Sequence, residues 1–407
     1  MGETLFIAHR IPFPPDRGDK IRSHHLLRAL AALGPVHVAT LGESAGDFAA
    51  EPLLAEVATT HCLARRPLNL PLAGVRAMLV GKPVSLTAFD SPDLRRWIAR
   101  TIAERPIDTI FVFSGQMGQY VPDDFAGRVI VDLCDVDSAK FEAYARERGG
   151  ARGWIDAREG RLLAAEEARL AARAGATLLV SENEADLLRA RVGLPEARIS
   201  AVGNGIDTAY FDPDAARPHP ALASEAGPHL VFTGQMDYPP NIAAAVRAAR
   251  LMMPLVRDRH PQARFHVVGR APTADVRALE GVNGTRVWGE VPDVRPFLAA
   301  ADAALVPLAI ARGVQNKVLE AMAMARPVVL TGEAATGIGG VEGRHYAIAG
   351  DDRGLARAVL ALLADGEGAR AMGSAARRFV VEEKSWEAAL APLAGLLATA
   401  GAARDAA

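Results

Sequence analysis

Between Ala311 and Val329 the sequence reads ARGVQNKVLEAMAMARPVV. An arginine, a glycine and two amides precede an Ala/Leu/Met stretch, and a proline then opens a β-branched run. AALVP (303–307) predicts a strand, LAIARGVQ the loop at its carboxyl end, and NKVLEAMAMA a helix starting near Asn316. Asn316 suits the N-cap, because its side chain accepts from free backbone N–H groups. Gly313 lets the backbone approach a ligand closely. The first helical turn offers unpaired N–H groups and a partial positive charge to an anion, with the full charges of Arg312 and Lys317 beside it. Glu320 lies one turn further on. A carboxylate cannot pair with phosphate, but it accepts from two vicinal hydroxyls, as on a ribose. Phosphate and ribose together mean a nucleotide. A competing reading has Glu320 merely complement the helix dipole while Lys317 stays solvated.

Two further stretches carry chemistry. PPDRGDKIRSHHLLRAL (14–30) is a loop opening into a helix, where Asp19 could cap and Arg17 or Lys20 could hold an acceptor anion; the alternative is a Pro/Gly turn with solvated charges. VDLCDVDS (131–138) ends a strand and crowds Asp132, Asp135 and Asp137 together. Asp135 is the choice as base or electrostatic partner of an acceptor hydroxyl. Asp135 and Asp137 also form an Asp-x-Asp that could hold a divalent metal, and Asp137 or Ser138 could simply cap the next helix. The ten histidines show no metal-ligand spacing, so no metal and no other cofactor is expected.

The elements that must position these residues alternate. Strand candidates are TLFIA (4–8), VHVAT (36–40), DTIFVF (108–113), VIVDLC (129–134) and TLLVS (177–181) in the first half. In the second half they are HLVFTG (229–234), RFHVVG (264–269), TRVWG (285–289), AALVP (303–307) and PVVL (327–330). Several are continuous apolar runs, as strands buried on both faces of a parallel sheet are. Separated by Ala/Leu/Arg helical stretches, they imply an α/β chain of two Rossmann-like doubly wound domains facing a central cleft. The Gly/Pro-rich segment near 200–228 marks the boundary. The expected domains are 1–205 and 206–380, each Rossmann-like, and a helical tail 381–407 packing back toward the first. Neither half carries G-x-G-x-x-G after its first strand, which argues against a dinucleotide-dependent dehydrogenase.

The chain has 407 residues, half of them hydrophobic, with a net charge of −2 and two cysteines. That gives no footprint for nucleic acid and fits a reducing cytoplasm. No run reaches the roughly 18 apolar residues of a membrane span, so a cytoplasmic protein is expected, with peripheral contact at the inner membrane surface left open. The mixed-charge helical stretch 155–173 reads as a packed helix with a solvated face.

The motifs together resemble the family-4 retaining glycosyltransferases of the GT-B fold. RGVQNKVLEAMAMARPVV is similar to that family's donor-site signature. VGNGIDTAYFDP (202–213), FTGQMDYPPNIAA (232–244), FHVVGRAP (265–272), VWGEVPDVRPFLAAADAALVP (287–307) and SWE (385–387) match in order and spacing. IPFPPDRGDKIRSHHLLRAL (11–30) and VDLCDVDS resemble a narrower group tied to exopolysaccharide synthesis and exosortase (PEP-CTERM) protein sorting. The resemblance implies metal-independent transfer of a sugar from a nucleotide-diphosphate sugar to a glycan or lipid-linked acceptor, with retention. It places Gly18, Gly234, Gln235, Arg270, Gly313, Val314, Asn316, Lys317, Val318 and Glu320 at the donor, and Arg17, Asp19 and Lys20 toward the acceptor. Asp135, Lys317 and Arg312 are the catalytic candidates. One departure stands out: Arg312 occupies the position where the family usually has its first Glu, and an arginine accepts no hydrogen bond. Alternatives are a nucleotide-sugar epimerase or hydrolase of the same fold, or a non-catalytic nucleotide-sugar binding subunit.

Overall fold

The computed structural model describes residues 2–68, 70–193, 195, 198–311 and 313–398. The chain forms two compact units, Met1–Asn204 with Ala389–Ala407, and Gly205–Ala388.

The first unit is built on a seven-stranded parallel sheet. Its strands are β1 (Glu3–Ala8), β2 (Val36–Gly42), β3 (Thr60–Arg65), β4 (Ile107–Phe113), β5 (Arg128–Cys134), β6 (Ala176–Leu179) and β7 (Ile199–Ala201), in the order β3-β2-β1-β4-β5-β6-β7. The order reverses between β1 and β4, whose carboxyl ends therefore border the switch point. Continuous apolar strands at the centre put Leu5, Phe6, Ile7, Phe111 and Val112 at zero exposure. The second unit holds six parallel strands: β8 (His229–Thr233), β9 (Arg264–Val268), β10 (Thr285–Gly289), β11 (Ala303–Val306), β12 (Val328–Leu330) and β13 (Ala347–Ile348), ordered β10-β9-β8-β11-β12-β13. Here the switch point lies between β8 and β11.

The α/β doubly wound reading is therefore correct for both halves. All ten expected strands are present, with every end within two residues of the expected one. Three more, β3, β7 and β13, were not among the expected runs, and each lies at a sheet edge. The segment after Gly205 is no free linker. Ile206 donates its N–H to Lys384 O at 2.7 Å, Asp212 pairs with Arg377 at 3.3 Å, and Leu222 is sealed in the second core. The last described helix, Pro392–Ala398, returns to the first unit, where Arg128 donates to Leu396 O and Leu397 O.

Candidate functional site

At the carboxyl ends of β8 and β11 the second unit brings together the loop after β8 and the helix Asn316–Ala323. The helical phase divides that helix cleanly. Val318, Leu319, Ala321 and Met322 are buried in the core, whereas Asn316 is exposed and Lys317 and Glu320 are half-buried. Val318 is consequently a core residue, and its N–H goes to Gln315 O; the expectation that it contacts the donor is corrected. The N-cap position falls to Gln315, with Asn316 as the first helical residue, which corrects the capping role given to Asn316. Gly313 adopts a φ of 64°, left-handed backbone that favours glycine. Val314 is exposed; a Cβ on Gly337 would come within 3.0 Å of its Cγ2. Arg312 lies outside the described residues.

Lys317 is positioned by residues that local patterning did not single out. Its Nζ donates to Asn241 Oδ1 at 2.6 Å and stands 5.1 Å from the Phe232 ring centroid, within cation–π range. Asn241 in turn donates from Nδ2 to Gln235 O at 2.9 Å, and Arg270 donates from Nη2 to Gln235 Oε1 at 3.0 Å. Gly234 is held at φ 153°, and a Cβ there would meet Asn241 Nδ2 at 2.9 Å and Lys317 Cε at 3.3 Å. The backbone conformation and the close approach of the Asn241 amide, with Lys317 just beyond it, favour glycine here. Asn241 was legible only as a polar residue on the buried side of an apolar helix, Pro239–Arg247.

The electrostatics are unusual. Burial pulls the Lys317 ammonium down to about 8, against a smaller opposing pull from Glu320. Burial pushes the Glu320 carboxyl up to about 7, against a smaller pull from Lys317. The two are not within ion-pair distance, and Glu320 has no hydrogen-bond or ion-pair partner among the described residues. A half-buried carboxylate with no donor among the described residues, one turn after an oriented ammonium, leaves hydrogen-bonding capacity to be met. The site can take hydroxyl donors at Glu320 and negative charge at Lys317 and the helix N-terminus.

The first unit places its candidates differently. Gly18 is exposed, and a Cβ on it would meet nothing within 4 Å. Arg17 is half-exposed, 3.3 Å from Asp19 Oδ1. Asp19 also accepts from Arg10 Nη1 at 2.7 Å and faces His9 Nε2 at 3.2 Å; these partners outweigh its burial and hold its carboxyl well below the usual carboxylate range. Lys20 is buried, bonded to Asp47 Oδ1 at 2.7 Å and to Phe13 O at 3.3 Å. Its ammonium is consumed by structure, which corrects its assignment as an acceptor-anion ligand. Asp132 is fully buried against Arg22 at 2.8 Å, and Arg22 also reaches Asn204 Oδ1 at 2.9 Å. Asp135 is exposed, with its carboxyl raised mainly by desolvation. Neither Asp137 nor Ser138 caps the helix Asp137–Glu147. Distant glutamates do so: Glu184 accepts from Val136 N at 2.7 Å and Glu167 from Ser138 N at 2.9 Å. Among the described residues no three His, Cys, Asp or Glu gather where they could hold a metal ion.

Two doubly wound parallel-sheet units in one chain are the architecture of the GT-B fold. Residues 18–205 match the model of the glycosyl transferase 4-like domain, and residues 227–365 match glycosyl transferases group 1. Each match covers less than half of the chain, and together they give a glycosyltransferase-like domain in each half. The chain is similar to sucrose-phosphate synthase from Thermosynechococcus elongatus, with TM-score 0.62, 18% identity and coverage of 99% of this chain and 100% of that one. It is likewise similar to HepE of Anabaena, solved in complex with UDP, with TM-score 0.62, 14% identity and coverage of 98% and 100%. At such identities the likeness establishes the fold alone. In sequence it is 26% identical to glycogen synthase of Mycobacterium tuberculosis over 60% of this chain and 59% of that protein. It is 32% identical to α-maltose-1-phosphate synthase of Mycolicibacterium smegmatis over 49% and 57%. These matches span less than two thirds of the relatives' lengths. Among the described residues no helix is long and apolar enough to cross a membrane.

Proposed function

We propose that the protein transfers a glycosyl group from a nucleotide-diphosphate sugar to a glycan or lipid-linked acceptor, with retention, in exopolysaccharide or other cell-surface polysaccharide synthesis. The observation that carries this reading is Glu320: a half-buried carboxylate without a hydrogen-bond or ion-pair partner among the described residues, beside Lys317 and a helix N-terminus. Glu320 accepts the two ribose hydroxyls. Lys317, oriented by Asn241, and the N–H groups at the start of the helix Asn316–Ala323 receive the diphosphate. Arg312, next in sequence to Gly313, is proposed as a second cation for the diphosphate. As the glycosidic bond breaks, negative charge builds on the leaving diphosphate, and these fixed donors stabilise it where it develops, with no metal in the scheme. Gly234 and Gln235 shape the wall opposite the helix, and Arg270 holds Gln235. Asp135, exposed and with a raised carboxyl, is proposed as the group that assists the acceptor hydroxyl. HepE, a neighbour of the same fold, has been solved with UDP and with UDP-glucose, which supports a nucleotide-sugar as the donor.

The test is a panel of UDP-, GDP- and ADP-sugars, scored for thermal stabilisation and nucleotide release, with and without EDTA. A donor that stabilises the protein and releases nucleotide only when a glycan or lipid-linked acceptor is added supports the proposal and names the donor. Release without acceptor instead indicates a hydrolase or epimerase. Stabilisation with no release under any acceptor indicates a binding subunit.

A further inference from the structure

The helix Leu70–Val80 is apolar on the wrong side. Its sealed side chains are Ala73 and Ala77, four residues apart and so on one face. Its large residues point outward: Val75, Met78 and Val80 are exposed, and Leu79 is 82% exposed. A helix that serves only its own core turns the large apolar residues inward. Several large apolar side chains exposed side by side mark an interaction surface.

A second element extends the same surface. Arg158, on the helix Gly150–Arg173, donates from Nη2 to Ala77 O at 3.1 Å and from Nη1 to Lys82 O at 3.2 Å. Its neighbour Glu159 accepts from the N–H groups of Val84 and Ser85 at 2.8 and 2.9 Å. Trp154 and Ile155 precede Arg158 by four and three residues and therefore lie one turn along the same helix face. Both are exposed, Trp154 at 60%. The exposed indole thus lies one helical turn from the arginine that ties this helix to the end of Leu70–Val80, all within the first unit.

Charge selects the occupant. From Val57 to Phe89 the sequence carries Arg65, Arg66, Arg76 and Lys82 and no Asp or Glu, in a chain whose net charge is −2. Arg66 is paired with Glu43 at 2.8 Å, and Arg76 stands 3.5 Å from Asp90. Arg65, Lys82 and, beside Trp154, Arg152 remain exposed. Two copies meeting through this face would bring like charges together. A bilayer surface with anionic headgroups complements it, because the apolar side chains enter the headgroup–acyl boundary while the cations stay at the phosphates. Trp is suited to that boundary.

We propose that the face formed by Val75, Met78, Leu79, Val80, Trp154 and Ile155 seats this protein on an anionic lipid bilayer. The proposal goes beyond glycosyl transfer and does not depend on it.

The test uses the full-length protein with vesicles of phosphatidylglycerol and phosphatidylcholine, against vesicles of phosphatidylcholine alone. Co-sedimentation with the anionic vesicles, weakened by salt, is expected. The double variant Met78→Glu, Leu79→Glu, altered only at exposed positions, should keep the wild-type melting temperature and its donor-induced stabilisation. Its partition into vesicles should fall by at least ~10-fold. Independently of any charge variant, the wild type should show quenching of tryptophan emission by brominated lipid, and Trp154→Phe should remove most of it. Failure to bind anionic vesicles, equal binding by the double variant, or quenching unchanged in Trp154→Phe would overturn the proposal. So would a wild-type dimer in sedimentation equilibrium that the double variant converts to monomer without any vesicle binding. Because donor stabilisation is read separately, loss of this proposal leaves the glycosyl-transfer reading standing, and the reverse.

Discussion

Glu320→Gln should make the protein more stable while removing its ability to bind the donor. The carboxyl titrates at about 7 in the folded protein against 4.5 ordinarily, because burial disfavours the charged form and Lys317 compensates only in part. At about 1.4 kcal/mol per pH unit, the ionised group costs the fold about 3 kcal/mol. Solvent reaching the half-buried side chain trims this to about 2 kcal/mol. A raised carboxyl pKa means that the folded state holds a proton the unfolded chain has already released. The cost therefore grows as pH rises from 4.5 to 7 and is complete above 7. Glutamine keeps the shape and cannot ionise. The variant should gain about 2 kcal/mol at pH 8, or about 4–8 °C in the melting of a unit of this size. At pH 5, where the wild-type carboxyl is largely protonated in the folded state, the gain should shrink below about 1 kcal/mol. The assay is thermal unfolding of wild type and variant at both pH values, with and without the donor found in the panel. Donor-induced stabilisation should be lost, since an amide presents one acceptor where a diol needs two. A variant that is less stable at pH 8, or whose effect does not change with pH, would refute the electrostatic reasoning. Undiminished donor binding would refute the diol assignment.

Lys317→Ala should lower kcat by ~10²–10³, the usual cost of removing one preorganised donor from developing charge; steady-state nucleotide release measures it, and an unchanged kcat would exclude the lysine from leaving-group stabilisation. Arg22→Met should destabilise the first unit by about 3–5 kcal/mol in urea unfolding, because it strands Asp132 as a buried charge without its arginine. His266 accepts from Trp288 Nε1 at 3.1 Å and lies 2.9 Å from His229 Nδ1; burial draws its ring down to about 3 from 6.5. A lowered histidine pKa favours folding while the ring is neutral, so its contribution is present above 6.5 and lost as pH falls toward 3. The wild type should lose about 2 kcal/mol between pH 7 and pH 5 by this route. His266→Gln should flatten that slope in denaturant unfolding.

The sheets were legible where their strands are interior. Interior strands of a parallel sheet are covered on both faces, so they spell continuous apolar runs such as TLFIA and DTIFVF. The three unforeseen strands lie at edges. THCLAR at 60–65 is polar on its open side, ISA at 199–201 spans three residues, and AI at 347–348 spans two. Such segments borrow their conformation from one neighbouring strand and carry little pattern of their own. The misplacement of Val318 had a readable remedy. Val318, Leu319 and Met322 form the apolar stripe of their helix, so its phase already assigned Val318 to the core while leaving Lys317 and Glu320 outside. Lys20 had no such remedy, because the partner that buries it, Asp47, lies 27 residues away. The same holds for the helix caps contributed by Glu167 and Glu184.

The two units handle charge in opposite ways, and the contrast bears on where the ligand goes. In the first, charged groups at the carboxyl ends of the strands are largely satisfied by one another: Asp19 with Arg10 and His9, Lys20 with Asp47, Arg22 with Asp132. Their removal is felt chiefly as instability. In the second, Lys317 has one neutral amide as its hydrogen-bond partner, Glu320 has none among the described residues, and burial disfavours the charge on both. A fold selected for stability alone would have paired these two or replaced them with apolar residues. They stand one helical turn apart on the same face without forming an ion pair, and Gly234 leaves room beside them for Asn241 and Lys317. That arrangement costs stability without a ligand and recovers it when hydroxyls reach Glu320 and an anion reaches Lys317. The melting temperature of the unliganded protein should therefore be set below what its two cores allow, and the gain on donor binding should exceed that expected from occupancy of an already satisfied pocket.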